Sequence, residues 1–208
     1  MFIFIISHGA QTTSLIAGLF IITAQFILWR DVYKRKISPG ILSWFGWFLL
    51  MGVSLIAQIL VDGWKWSLTG LAMSAFGCLV IFTTAFTMKN YLLKNSDWIF
   101  LFLGMMCLIL YLISKDAWIT TGFAILADFV VGIPTLLHAY RNPISQKSKA
   151  WMLAFISWSF TLILCIGQPF LYALFPIYLF LYNIVMLVLT NRKINKNKMP
   201  AVISISPK

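Results

Sequence analysis

The sequence predicts an all-α integral membrane protein of seven transmembrane helices, arranged as two parallel three-helix repeats joined by a linker helix. Three observations lead there. The chain is 61% hydrophobic and 10% charged, with a mean hydropathy of +0.92, against roughly 45–50% apolar and 25% charged in soluble domains. Its apolar residues form long continuous runs, and its basic residues fall between alternate runs.

The runs cover residues 11–30, 41–61, 67–88, 97–114, 117–140, 150–168 and 170–191. Each is near the ~20 residues that a helix needs to cross hydrocarbon. A helix satisfies its own backbone where lipid offers no partner, and strands would alternate as these runs do not. The second, third, sixth and seventh runs have almost no polar face, which excludes a water-soluble bundle. The opening "MFIFIISHGAQ" lacks the basic stretch of a secretory signal. It reads as an uncleaved lead-in to the first span, with His8 a polar residue within it.

Charge orders the loops. Arg30, Lys34, Arg35 and Lys36 follow the first run, Lys89 and Lys94 the third, and Arg141, Lys147 and Lys149 the fifth. A basic tail, 192–208, holds Arg192, Lys193, Lys196, Lys198 and Lys208. Fourteen of the 16 basic residues thus share one side, leaving Lys65 and Lys115 for the other. Positive charge collects in the cytoplasm, so the N-terminus is expected outside and the C-terminus inside. The net charge of +11 belongs to loops that face lipid headgroups and implies no nucleic acid. Trp29, Trp44, Trp64, Trp66, Trp98, Trp118 and Trp151 fall near span ends, where indole prefers to lie, while Trp47 and Trp158 fall further in. Cys78, Cys107 and Cys165 are isolated in separate apolar runs and read as small core hydrophobes.

Displaced by 107 residues, "YKRKISPGILSW" (33–44) falls on "YRNPISQKSKAW" (140–151). Tyr33 meets Tyr140, Lys34 meets Arg141, Ile37 meets Ile144, Ser38 meets Ser145 and Trp44 meets Trp151. The expected organisation is a first repeat (1–88), a linker span (89–116), a second repeat (117–191) and the tail. An odd number of spans per repeat plus one linker leaves both repeats facing the same way, related by an axis along the membrane normal.

This 3-1-3 pattern with an external N-terminus resembles the SWEET and PQ-loop transporters over the whole set of spans. Those families carry Pro-Gln in the inner half of the first span of each repeat. Here "GIPTLLHAYR" has Pro134 followed by Thr135, and "QFILWRDVYK" has Ile27 at the proline's place. The stretches "ADFVVGIPTLLHAY" (127–140) and "FPIYLFLYN" (175–183) are more closely similar to an uncharacterised bacterial multi-span membrane-protein family, which implies no activity. The SWEET resemblance implies a pocket lined by an asparagine from the third span of each repeat. Asn183 fits that place in repeat two, and its counterpart at the same displacement is Phe76.

Asp128 is the residue most in need of a reason. It lies eleven residues into the fifth run, about 16 Å deep at 1.5 Å per residue. A carboxylate at mid-membrane costs roughly 2.5–3.5 kcal/mol on insertion scales and usually faces a bundle interior or a water path. No basic residue is expected at its depth, so it keeps its charge only with a wet cavity, a cation or several donors. Thr121, Ala124, Asp128, Gly132 and Thr135 form one small and polar stripe at helical spacing, opposite Phe123, Leu126, Val130 and Leu137. Two roles fit Asp128: contact with a proton or cationic solute, or a hydrogen bond between helices. Pro134 is expected to kink the span and, with Gly132, offers either a gating bend or a static packing kink. His138 reads as an interfacial residue rather than a proton relay. The remaining candidates for a solute pocket are Asn183 and Tyr178 on span seven, Trp158 on span six and Ser54 on span two. Tyr182, Gln58, Ser74 and Ser157 add mid-span polarity, and Pro176 is expected to break the outer half of span seven.

No HExxH, paired carboxylate, Ser/His/Asp set at one depth or GxxxxGK[ST] loop is present, so neither enzymatic activity nor a cofactor or metal is expected. Two functions remain. One is a secondary transporter or facilitator of a small polar solute, cationic or zwitterionic, in the bacterial inner membrane. The other is a non-transporting accessory or assembly partner whose basic loops dock lipid or an acidic protein. Membrane lipids and a second copy of the chain are the further partners considered.

Overall fold

The computed structural model describes residues 2–63, 69–114 and 116–192. Trp64, Lys65, Trp66, Lys115 and the tail beyond Arg192 lie outside the described residues, as do the side chains of His8 and Gln58. The described residues form α1 (Phe2–Tyr33), α2 (Ile41–Asp62), α3 (Thr69–Thr87), α4 (Asp97–Ile113), α5 (Ala117–Arg141), a short 3-10 turn (Pro143–Gln146), α6 (Ala150–Leu164) and α7 (Leu171–Asn191), with no strand among them. Each expected span has its helix. Four contain a stretch long and apolar enough to cross a membrane: Gln11–Tyr33, Gly70–Thr87, Ala117–Arg141 and Leu171–Asn191. The apolar stretches Ile41–Ala57, Asp97–Ile113 and Ala150–Leu164 are shorter than the spans expected there.

Local chemistry sets the helix ends. The Asp116 carboxylate caps α5, accepting the N–H groups of Trp118 at 2.9 Å and Ile119 at 3.0 Å. α1 ends in a left-handed Arg35 (φ 54°), with Lys36 N–H donating to Asp31 O and Arg35 N–H to Val32 O. α3 repeats the device with Lys89 (φ 52°), Asn90 N–H donating to Ala85 O and Lys89 N–H to Phe86 O. This double bond closes orphan carbonyls at a helix end. α6 stops four residues before the expected limit of 168 because a turn follows Leu164, with Gly167 at φ 81° and Pro169 lacking a donor. Pro176 does not break α7, which is continuous through it. The Tyr172 carbonyl, which a proline cannot bond, lies 3.6 Å from the Cys165 thiol, which it shares with the Thr161 carbonyl at 3.4 Å.

α3 packs against both α1 and α2, and α7 against both α5 and α6. The two groups meet where α1 touches α6 and where α2 touches α5, while α4 lies on α5 and α2. Val131 of α5 is wedged between Gly46 of α2 and Gly104 of α4, where an added methyl at either glycine would collide with it. Small residues let membrane helices approach closely in this way.

The loops after α1, α3 and α5 knit into one lattice on the basic face. Asn90 Nδ2 donates to Val32 O and Ile37 O, both at 2.9 Å, and Ser38 Oγ donates to Asn90 Oδ1 at 2.8 Å. Gln146 Nε2 donates to Ser38 O at 2.7 Å, and Ser148 Oγ to Asp31 Oδ2 at 2.7 Å. A one-residue parallel bridge joins Gly40 to Leu92. Trp44 and Trp151, expected at a lipid interface, are instead buried beneath this lattice, and Trp151 Nε1 donates to Gln146 O at 2.9 Å. Trp98 and Trp118 are exposed, as a headgroup position requires.

Candidate functional site

The stripe expected on α5 divides into two parts along the helix. Thr121, Ala124 and Asp128 border a cleft of about 340 Å³, whereas Gly132 and Thr135 are buried further along the helix. Leu126, on the opposite side, is exposed as lipid contact requires. The cleft lies between α5, α2, α4, α3 and α7, near the helix ends away from the basic face. Ser54 comes from α2, Tyr111 from α4, Leu71 from α3 and Phe175 from α7. Its volume falls at the small end of pockets that hold low-molecular-weight ligands.

Asp128 is 4% exposed and forms the inner end of the cleft. Tyr178 Oη donates to its Oδ2 at 2.7 Å. Trp47 Nε1 donates to the Asp128 main-chain carbonyl at 3.3 Å and stands close to the carboxylate as well. One turn on, Tyr182 Oη donates to Gly132 O at 3.1 Å. Among the described residues Tyr178 makes the one hydrogen bond of good geometry to the carboxylate, and it falls on Oδ2. One hydrogen bond to a charged group contributes about 1.5–3 kcal/mol, which offsets much but not all of the burial cost.

Of the five residues expected to line a pocket, the structure brings three together. Asp128 and Ser54 border the cleft, and Tyr178 holds Asp128 from behind. Asn183 is not on the cleft: it is buried, with Nδ2 donating to Leu179 O at 2.7 Å and Oδ1 unpartnered. Its expected counterpart Phe76 points outward, 65% exposed. Trp158 is also absent from the cleft, because α6 packs on α1 and α7 and contributes nothing to the lining. Pro134 and Gly132 lie in a helix that runs unbroken from Ala117 to Arg141. Gly132 is a close-approach site, since a Cβ there would stand 2.9 Å from Tyr182 Oη and 3.2 Å from Trp47 Cζ2.

Two features had no sequence signal. Trp47 reads as one more aromatic in an apolar run, and only the α2–α5 contact turns it toward Asp128. His138, expected at the interface, is buried, with Nε2 at 3.3 Å from Oδ2 of the equally buried Asp97. Asp97 also accepts the Lys94 N–H at 2.9 Å, so the pair ties the start of α4 to the end of α5. No group of three metal-ligating side chains occurs among the described residues. In comparisons with known proteins, no family model matches the chain, and no curated protein or solved structure matches it significantly.

Proposed function

We propose that the protein is a secondary transporter or facilitator that carries a small polar solute, cationic or zwitterionic, across the bacterial inner membrane by alternating access. The observation that carries this reading is a mid-helix carboxylate at the inner end of a cleft. An acid retained only to join helices needs no open space beside it. An intramembrane carboxylate on a cavity is the usual mark of a solute or ion path.

The fold assigned with this function is the 3-1-3 organisation, α1–α3 and α5–α7 as like-facing repeats and α4 as linker. The packing order supports it: α3 is the middle helix of one group and α7 of the other, and the α1–α6 and α2–α5 contacts exchange under the repeat. Burial supports it too. Ile21, Ala24, Leu28, Asp31 and Val32 are buried, and so are Asp128, Val131, Thr135, His138 and Ala139, each 107 positions on. For α3 and α7 the buried faces superimpose at 105, with Cys78 on Asn183, Ile81 on Met186 and Ala85 on Thr190. The cleft reaches Asp128 from one side while the loop lattice closes the basic side. The opposite state opens that lattice and closes the cleft, with α5 yielding at Gly132 and Pro134. The loop charges assign the basic face to the cytoplasm.

The test is flux into liposomes containing the purified protein, over a panel of amines, amino acids, sugars and small acids. At least one solute is expected to cross, at a rate that Asp128→Asn lowers tenfold or more. Absence of flux for the whole panel overturns the transport reading in favour of the accessory-partner alternative. Unchanged flux and pH dependence in Asp128→Asn, with stability alone reduced, assigns Asp128 to packing.

A further inference from the structure

The hydrogen-bonding character of the cleft is one-sided. Thr120 Oγ1 gives its proton to Asp116 O at 2.7 Å and Thr121 Oγ1 to Ala117 O at 2.8 Å, so both threonines present lone pairs only. Asp128 Oδ2 accepts the Tyr178 hydroxyl. The indole N–H of Trp47 points to the Asp128 carbonyl from behind, and Trp47 is not part of the cleft lining. The hydroxyls of Ser54 and Tyr111 rotate and serve in either sense. No Lys, Arg or His borders the cleft among the described residues.

We infer that the Asp128 cleft selects primary alkylammonium ions that carry no carboxylate. The inference rests on the transport reading for its purpose and narrows it to one class of solute. A primary ammonium has donors and no acceptor, which suits the carboxylate; Thr121 and Thr120, seven and eight residues earlier and so about 10–12 Å away along α5, add only further acceptors toward the outer part of the cleft. A polyol brings as many acceptors as donors, and most of its acceptors find no partner here. The carboxylate of a zwitterion meets either the Asp128 charge or apolar wall. Leu50 and Phe175 offer that wall to a short hydrocarbon body instead.

Four probes with the same carbon skeleton isolate the charge: n-butylammonium, 4-aminobutanoate, butanoate and n-butanol. Thermal unfolding of the full-length protein in detergent reads binding, because a ligand of the native state raises the midpoint with concentration. Butylammonium alone is expected to raise it. Asp128→Asn should weaken that apparent affinity about ten- to hundredfold, the loss of one charge-assisted bond. If that variant does not fold, the wild-type panel still decides. No response to butylammonium, or an equal response to butanol, butanoate or 4-aminobutanoate, overturns the inference. Flux keeps it separate from the transport reading: butylammonium that stabilises but does not cross sinks transport and leaves the selectivity standing. A different solute that crosses, with no amine binding, does the reverse.

Discussion

Gly132 of α5 has no room for a side chain, because the Tyr182 ring and Trp47 occupy the space a Cβ would take. Gly77 of α3 is crowded in a different way, with the end of the Gln25 side chain 2.7 Å from where a Cβ would stand. Under the proposed repeat, Gln25 corresponds to Gly132 and Gly77 to Tyr182, so the large and small partners would have changed helices. The two glycines should respond differently to alanine. Gly132→Ala pushes on a rigid ring whose hydroxyl is bonded to Gly132 O, and is expected to destabilise by about 1–3 kcal/mol. Gly77→Ala pushes on a flexible chain end and should cost under about 1 kcal/mol. Denaturant unfolding in detergent compares them, and equal losses would contradict the packing described. At this scale the sequence made Asp128 legible through its depth and its lack of a basic neighbour. It did not separate Asn183 and Trp158 from the cleft, since mid-span position says nothing of the direction in which a helix turns its side chains.

At the scale of elements, the helix ends hold a correctable strain. Lys89 adopts a left-handed conformation that an L-residue tolerates poorly and glycine adopts freely. Lys89→Gly is therefore expected to stabilise by about 0.5–1 kcal/mol, read as a higher unfolding midpoint. An unchanged or lower midpoint would show that the lysine side chain contributes more than its backbone costs. Arg35, in the equivalent place after α1, makes a poorer test because its guanidinium donates to Met88 O at 3.1 Å. All seven helices were legible because continuous apolar runs mark them. Their limits were not: the turn after Leu164 shortens α6, while Pro176 leaves α7 whole because it falls in the first two turns, where few backbone bonds are lost. The Asp97–His138 pair was out of reach because 41 residues separate its members and only the α4–α5 contact joins them.

For the whole molecule, the charge pattern and the packing make one joint prediction. In a background with Cys78, Cys107 and Cys165 replaced by alanine, Lys147→Cys on the basic face should react with an impermeant thiol reagent only from the cytoplasmic side. Gln168→Cys, in the exposed turn after α6, should react only from outside. The reverse pattern would invert the proposed orientation. The proposed repeat has its sequence markers in the loop after α1 and the loop after α5, where Tyr, a basic residue, Ile, Ser and Trp recur. In α3 and α7 the sequences have no such markers, and their buried faces superimpose two residues away from the register of the loops.

α4 and α6 have 17 and 15 residues, which is about 25 and 22 Å of helix against a hydrocarbon layer of ~30 Å. They lie against different partners, α4 on α5 and α2, α6 on α1 and α7. Under the proposed seven-span reading, α4 and α6 would thin the bilayer at two separate places around the perimeter, at a modest elastic cost for each ångström of mismatch. Acyl chains a few carbons shorter than average would relieve both places at once, so on that reading annular lipid around this protein is expected to be enriched in them.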